Sequence, residues 1–249
     1  MKIFSTAVFL SLVSTCVDAI YGGVSIQSGN GEVMVTMRGQ GNENLCGGTI
    51  IGSSHVITTT SCAKKQIKDV VVNGTSSVDV SPGASVYKIK SISIHPDYSP
   101  GSGKFDLAIL QLDGQSQVSV ARLPTSDALS QFGSVYGWDS LESPSSVNLL
   151  TVSLPIVPIA QCKLDTGKND LDETFICAGG EAGKGVALLD AGGPLTTIGP
   201  QGIRVNVLLG VLSEPRGLGK VSIFVRVNTA IKFIEDVFKQ HGDTFQTCC

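Results

Sequence analysis

Short runs rich in valine, isoleucine and leucine recur along the whole chain, separated by glycine, proline and serine. Val33–Met37, Thr49–Thr59, Asp69–Val72, Tyr87–Ile94, Leu107–Leu112, Ser134–Trp138, Asn148–Ile156, Arg204–Leu212 and Val221–Val227 each read as a strand. Gly39-Gln40-Gly41, Ser81-Pro82-Gly83, Ser99-Pro100-Gly101, Ser143-Pro144 and Gly217-Leu218-Gly219 stand between them as turns. Helical spacing is clear in one place. Ile231, Ile234, Val237 and Phe238 share a face of a helix predicted over Thr229–Gln240, with Asn228 placed to cap it. A shorter amphipathic piece covers Ile159–Leu164. Many short strands at this spacing predict an all-β protein, a sandwich or barrels. No internal repeat and no low-complexity linker interrupts the pattern.

The 249 residues suit one large domain or two small ones. Hydrophobic residues at 42% against charged residues at 16% can bury a sizeable core, which excludes a disordered chain. The net charge of −3 excludes an overall basic surface built for nucleic acid.

The start of the chain changes the picture. Lys2, the mostly apolar Ile3–Val13, and Val17 and Ala19 at −3 and −1 of a cut form a secretory signal pattern over residues 1–19. Its apolar part is too short to span a bilayer, and no later segment is long enough, so secretion without a membrane anchor is expected. Cleavage removes Cys16 and leaves Cys46, Cys62, Cys162, Cys177, Cys248 and Cys249, an even set that reads as disulfides in a secreted chain. There is no CxxC and no paired ligand spacing, so neither a metal nor a cofactor is expected. Asn73-Gly74-Thr75 makes Asn73 a candidate glycosylation site.

Five separated segments resemble the trypsin/chymotrypsin family of serine proteases. Ile20-Tyr21-Gly22-Gly23 is similar to the family's mature start. Leu45–Ile51 followed by Val56–Cys62, Asp106–Leu110, Tyr136-Gly137-Trp138 and Leu189–Leu195 match family segments in the same order and spacing. The resemblance covers essentially the whole mature chain. It implies two six-stranded antiparallel barrels, roughly 20–125 and 126–228, followed by the helix at 229–240. It also implies the disulfides Cys46–Cys62 and Cys162–Cys177, each worth about 3 kcal/mol by loop-closure entropy. The family bridge that braces the substrate pocket is missing, with Ala187 at its first position. Cys248 and Cys249 have no family counterpart, which leaves a covalent dimer and free thiols both open.

The family's reaction needs a hydroxyl nucleophile, an imidazole base and a carboxylate that orients the base. Carried over by position, the imidazole is replaced by Ser61 and the nucleophile by Ala191, while the carboxylate remains as Asp106. Of the three histidines, His55 reads as a packed residue, His95 as part of a surface turn, and His241 as a residue after the helix. The substrate site departs as well. Leu189 stands where a glycine N–H supports the oxyanion, and its side chain is expected to crowd that hole. Gly185 replaces an acidic pocket floor, Ser213-Glu214-Pro215 replaces the segment that pairs with substrate, and Ser222 replaces a pocket-lining glycine. Proline removes one substrate hydrogen bond. Ile20 and Asp190 are retained, and the resemblance implies an ion pair between the freed Ile20 ammonium and Asp190; a solvated Asp190 is the alternative.

The resemblance therefore implies a secreted, non-catalytic protease homologue that acts by binding a protein through surface loops. Thr58-Thr59-Thr60-Ser61-Cys62 is similar to a stretch found in the glucanase inhibitor proteins secreted by oomycete pathogens, which points to a plant endoglucanase as partner. A protease-blocking or immune decoy, and an endopeptidase with an atypical site, are the competing readings. Candidate binding loops are Gly39–Asn44, Lys64–Lys68, Tyr98–Lys104, Asp165–Glu173 and Glu214–Lys220.

Overall fold

Two antiparallel sheets carry the chain in the computed structural model, which describes residues 20–26, 33–74, 83–126, 130–138, 149–198 and 204–248. The signal segment 1–19 with Cys16, Thr75 of the sequon, Ser81-Pro82, Ser143-Pro144 and Cys249 lie outside the described residues. The first half supplies β1 (Val24–Ser25), β2 (Met34–Arg38), β3 (Asn44–Gly52), β4 (His55–Thr58), α1 (Thr60–Ala63), β5 (Asp69–Val72), β6 (Ser85–Tyr87), β7 (Ile89–Ile94) and β8 (Ala108–Leu112). The second half supplies β9 (Leu123–Pro124), β10 (Phe132–Trp138), β11 (Leu149–Val157), α2 (Ile159–Thr166), β12 (Phe175–Gly179), β13 (Pro194–Ile198), β14 (Arg204–Glu214), β15 (Val221–Arg226), α3 (Ile231–His241) and β16 (Thr247–Cys248).

The first sheet has the order β6-β5-β2-β3-β4-β8-β7. Its two end strands are separated only by Lys88, so one bent segment links both ends of the ladder and the sheet curls on itself. The second sheet runs β11-β10-β13-β14-β15-β12, and the β11–β12 pairing closes it into a six-stranded barrel, with β1 added outside β11. The all-β architecture expected from the resemblance is therefore present, as one closed barrel and one curled sheet.

Differences from the expected elements have local causes. The run Thr49–Thr59 is a hairpin that turns at Ser53-Ser54, polar residues at its centre. Two barrel strands, β12 and β13, went unread: one carries cysteine and glycine, and the other begins with proline. The terminal α-helix starts at Ile231 after a 3₁₀ turn over Val227–Ala230, so Asn228 lies ahead of the helix and Ala230 occupies the cap position. Its apolar face packs onto the first sheet: Ile234, Val237 and Phe238 join Val56, Ile57 and Leu110 in one core cluster. A second cluster fills the closed barrel around Val135, Leu154, Leu195 and Phe224. Both expected disulfides are formed, Cys46–Cys62 and Cys162–Cys177.

Candidate functional site

Between the two sheets lies Asp106, 4% exposed, at the mouth of β8. Ser61, on the short helix α1, donates its backbone N–H to Oδ1 at 3.1 Å and its hydroxyl to Oδ2 at 3.3 Å. Ser213, near the end of β14, donates a third hydrogen bond to Oδ2 at 2.8 Å. The helix that carries Ser61 is held by Thr59, whose hydroxyl accepts the Cys62 N–H at 3.2 Å, and by the Cys46–Cys62 bridge to β3. Phe105, just before Asp106, has φ of +50°, a strained setting for an aromatic residue. The carboxylate is thus saturated by serine donors, and no imidazole lies on it among the described residues.

Ala191 sits across from α1, where its carbonyl accepts the Gly47 N–H at 2.8 Å. The following Gly192 has φ of +83°, and a β-carbon there would lie 2.3 Å from Gly47 O, so only glycine lets the loop pass. Leu188–Asp190 form a 3₁₀ turn, in which Leu188 O accepts the Ala191 N–H at 3.3 Å. Leu189, in the middle of that turn, is half-buried.

The residues carried over as the substrate pocket lie on neighbouring segments, with Gly185 and Ser222 buried and Ser213, Glu214 and Pro215 half-buried. Gly185 is buried, and a β-carbon on it would meet Gly217 O at 2.5 Å. Gly217 N–H bonds Val186 O at 3.1 Å and Gly219 N–H bonds Lys184 O at 2.7 Å. These backbone bonds brace the walls where the disulfide is missing beside Ala187. Ser222 is 1% exposed and accepts the Arg216 N–H at 3.1 Å, so it belongs to the packed wall. Glu214 pairs with Lys168, and Pro215 ends the strand. Across the cleft, Lys104 from the first half donates to Asp172 of the second at 2.7 Å. Lys104 and the Thr174 donors hold the Asp172 carboxyl down at about 2, against the effect of its own desolvation. Gly103 leans over the same strand, since a β-carbon on it would lie 3.9 Å from Glu214 Oε1. The sequence marked these loops as polar but carried no signal that they would tie to each other.

Asp190 is fully buried, which removes the solvated alternative. Oδ2 accepts the Ala187 N–H at 2.8 Å, while Oδ1 has no hydrogen-bond partner among the described residues. Burial pushes this carboxyl up to about 7, partly offset by the Ala187 and Trp138 N–H groups. Ile20 is 6% exposed and lies beside it: a β-carbon on Gly137 would sit 2.0 Å from Asp190 Oδ1 and 2.6 Å from Ile20 Cγ1.

The histidines lie elsewhere. His55 is buried against Phe238, with ring centroids 4.2 Å apart, and its Nε2 is 2.9 Å from His241 Nδ1. Burial lowers the pKa of His55 below the usual imidazole value. His95 is also buried, at 6% exposed, and stacks on Phe105 at 4.3 Å; it opens the expected turn, in which Pro96 and Asp97 are exposed, while Phe105 and Phe233 enclose its own ring. His241 is the last residue of α3 rather than a residue beyond it. Cys248 is unbridged and half-buried in β16, which pairs in parallel with β9. Asn73 follows β5 with φ of +58° and donates from Nδ2 to Gly83 O at 3.2 Å. Among the described residues no cluster of three or more histidine, cysteine or acidic side chains could hold a metal, and no helix is long and apolar enough to cross a membrane.

Two sheets meeting over a buried acid, with a glycine-rich loop opposite, define a chymotrypsin-like architecture. The Trypsin family model matches residues 20–234, and the chain belongs to that family. It is 29% identical to glucanase inhibitor protein 2 of Phytophthora sojae, in an alignment covering 96% of this chain and 89% of that one. It is 28% identical to glucanase inhibitor protein 3 of Phytophthora infestans, covering 96% and 99%. Trypsin 5G1 of Aedes aegypti is 27% identical, with 88% and 84% covered.

Proposed function

We propose that this chain is a secreted, catalytically silent member of the trypsin family that binds and inhibits a plant endo-β-glucanase. Ala191 carries the reading: its side chain is a methyl group where the family's reaction requires a nucleophile. Ser61 contributes no base, and the Ser61 and Ser213 hydroxyls occupy the Asp106 carboxylate that would orient one. Similarity to the named glucanase inhibitors over most of the chain supports the choice of partner. With catalysis gone, the surface around the old cleft is what remains to recognise a protein.

Cleavage after Ala19 would free Ile20, whose ammonium would then meet the unpartnered Oδ1 of Asp190 without a separate activation cut. Asn73 would carry a glycan, and Cys248 with Cys249 would be available for a covalent dimer, which a non-reducing gel of secreted protein detects.

Two measurements test the main reading. Purified protein should lower the activity of at least one secreted plant endo-β-glucanase, and it should neither turn over peptide esters nor take up a fluorophosphonate label. Labelling, or no effect on any glucanase, would overturn it. The double substitution Ser61→His/Ala191→Ser should still give no turnover, because Leu189 and Pro215 leave oxyanion support and substrate pairing unrestored.

A further inference from the structure

Basic charge is gathered on one side of the first sheet. Lys64, Lys65 and Lys68 follow α1, and Lys88 and Lys90 lie at the bend between β6 and β7. Four of these nitrogens rest on neutral groups. Lys65 Nζ donates to Leu45 O at 2.8 Å, Lys68 Nζ to Asn42 Oδ1 at 2.5 Å and Lys88 Nζ to Lys68 O at 3.1 Å. Lys64 Nζ stands 5.0 Å over the Tyr98 ring. The carboxylate 4.0 Å from Lys88, Asp69, is held by Arg38 at 2.7 Å. Among the described residues Glu43, Asp97 and Asp113 are exposed acids on neighbouring turns, and Asp113 accepts the Lys88 backbone N–H at 2.9 Å.

A carbonyl or amide oxygen satisfies an ammonium's hydrogen bonds without cancelling its charge. The face therefore keeps a positive potential on a chain whose net charge is −3. It also adjoins the cleft. The Leu45–Gly47 segment touches Lys65 through Leu45 O and Ala191 through the Gly47 N–H. Leu188, on the 3₁₀ turn that leads into Ala191, is 65% exposed. Apolar anchors beside a charged margin are how protein interfaces are commonly built.

We infer that the lysine face, with Leu188 beside it, is the surface that docks on the carboxylate-lined groove of the inhibited glycoside hydrolase. The inference rests on the inhibitor reading above. Glycoside hydrolases hold a pair of carboxylates at the scissile bond, in a groove open enough for a polymer. Such a groove is complementary in charge to this face. Lysines at the margin would act chiefly on the rate of encounter, and Leu188 on residence time.

The test measures association and dissociation rates with secreted plant endo-β-glucanases at about 30 mM and about 300 mM salt, where screening differs several-fold in range. The variant Lys64→Gln/Lys65→Gln/Lys68→Gln/Lys88→Gln keeps amide donors for the neutral acceptors and removes the charge. Its association rate at low salt should fall about 10-fold or more, with dissociation within about twofold and little remaining salt dependence. Leu188→Ser should instead raise the dissociation rate about 10-fold. Unfolding midpoints check that the variants fold. A folded quadruple variant with wild-type association and salt dependence would overturn the assignment while leaving the inhibitor reading standing. A wild type silent toward every glucanase at both salts overturns the inhibitor reading and this assignment with it. Loss of binding to heparin or anionic vesicles in the quadruple variant, with glucanase kinetics unchanged, would give the face to a polyanion and also overturn the assignment.

Discussion

Asp106 and Asp190 are both buried acids at the seam of the molecule, and they are completed differently. Asp106 has three donors, two from Ser61 and one from Ser213, all supplied by the chain as it stands. Among the described residues Asp190 is met by the Ala187 and Trp138 N–H groups, only the first within hydrogen-bond distance, and its carboxyl is raised to about 7. A buried carboxylate is tolerable when hydrogen bonds replace its hydration, and costly when they do not. Asp106 is a structural node supplied by the chain's own serines, whereas Asp190 keeps an Oδ1 without a hydrogen bond among the described residues, beside Ile20.

The strongest way to break this comparison is Asp190→Asn in two proteins, one beginning at Ile20 and one retaining residues ahead of it. In the first, the substitution should cost about 3–5 kcal/mol, since it strands a buried ammonium. In the second it should stabilise at pH 8, where an ionised Asp190 has no counter-charge. Denaturant titration of the four proteins measures both. An equal loss in both backgrounds would mean that Asp190 needs no ammonium.

The pH dependence of the extended protein is the next effect in size. With Asp190 near 7 in the folded state and the usual carboxylate value of 3.8 when unfolded, the folded state holds the extra proton between those values. Stability should therefore fall as pH rises from about 4 to about 7, by a few kcal/mol in total. The protein beginning at Ile20 should lack that slope. A flat profile for both would remove the raised carboxyl.

Asp106→Ala should cost about 2–3 kcal/mol in either background, because the Ser61 and Ser213 hydroxyls lose a buried acceptor. A change under about half a kcal/mol would mean that water replaces the carboxylate.

The smallest effect belongs to the Lys104–Asp172 tie, whose side chains are 39% and 31% exposed. Asp172 is depressed to about 2, so its contribution is present above the ordinary carboxylate value and is lost as pH falls from about 4 toward about 2. Lys104→Met should shift the Asp172 carboxyl resonance midpoint upward while leaving the unfolding midpoint at pH 7 almost unchanged. An unmoved midpoint would mean that the Thr174 donors alone depress it.

Much of the molecule was legible in the residues. Val, Ile and Leu runs located most strands, and the Ile231–Phe238 spacing located the helix, because burial imposes those periods. The turn at Ser53-Ser54 and the strands Phe175–Gly179 and Pro194–Ile198 were not legible. Their local propensities are weak, and barrel closure overrides them. His95 illustrates the same limit: a turn motif places it at the surface, while Phe105 and Phe233 from distant segments cover it.

The residue types alone determined that position 191 has no nucleophilic atom, that position 61 has no imidazole, and that the cysteines at 46, 62, 162 and 177 match a known bridge pattern. Only the folded arrangement decided that Ser213 joins Ser61 on one carboxylate, that Gly185 and Gly217 touch, and that Lys88 reaches the Lys68 carbonyl across the first sheet. Chemistry at an atom is written in the residue that carries it. Contact between residues a hundred positions apart depends on how the sheets curl and close, which no local stretch of sequence encodes.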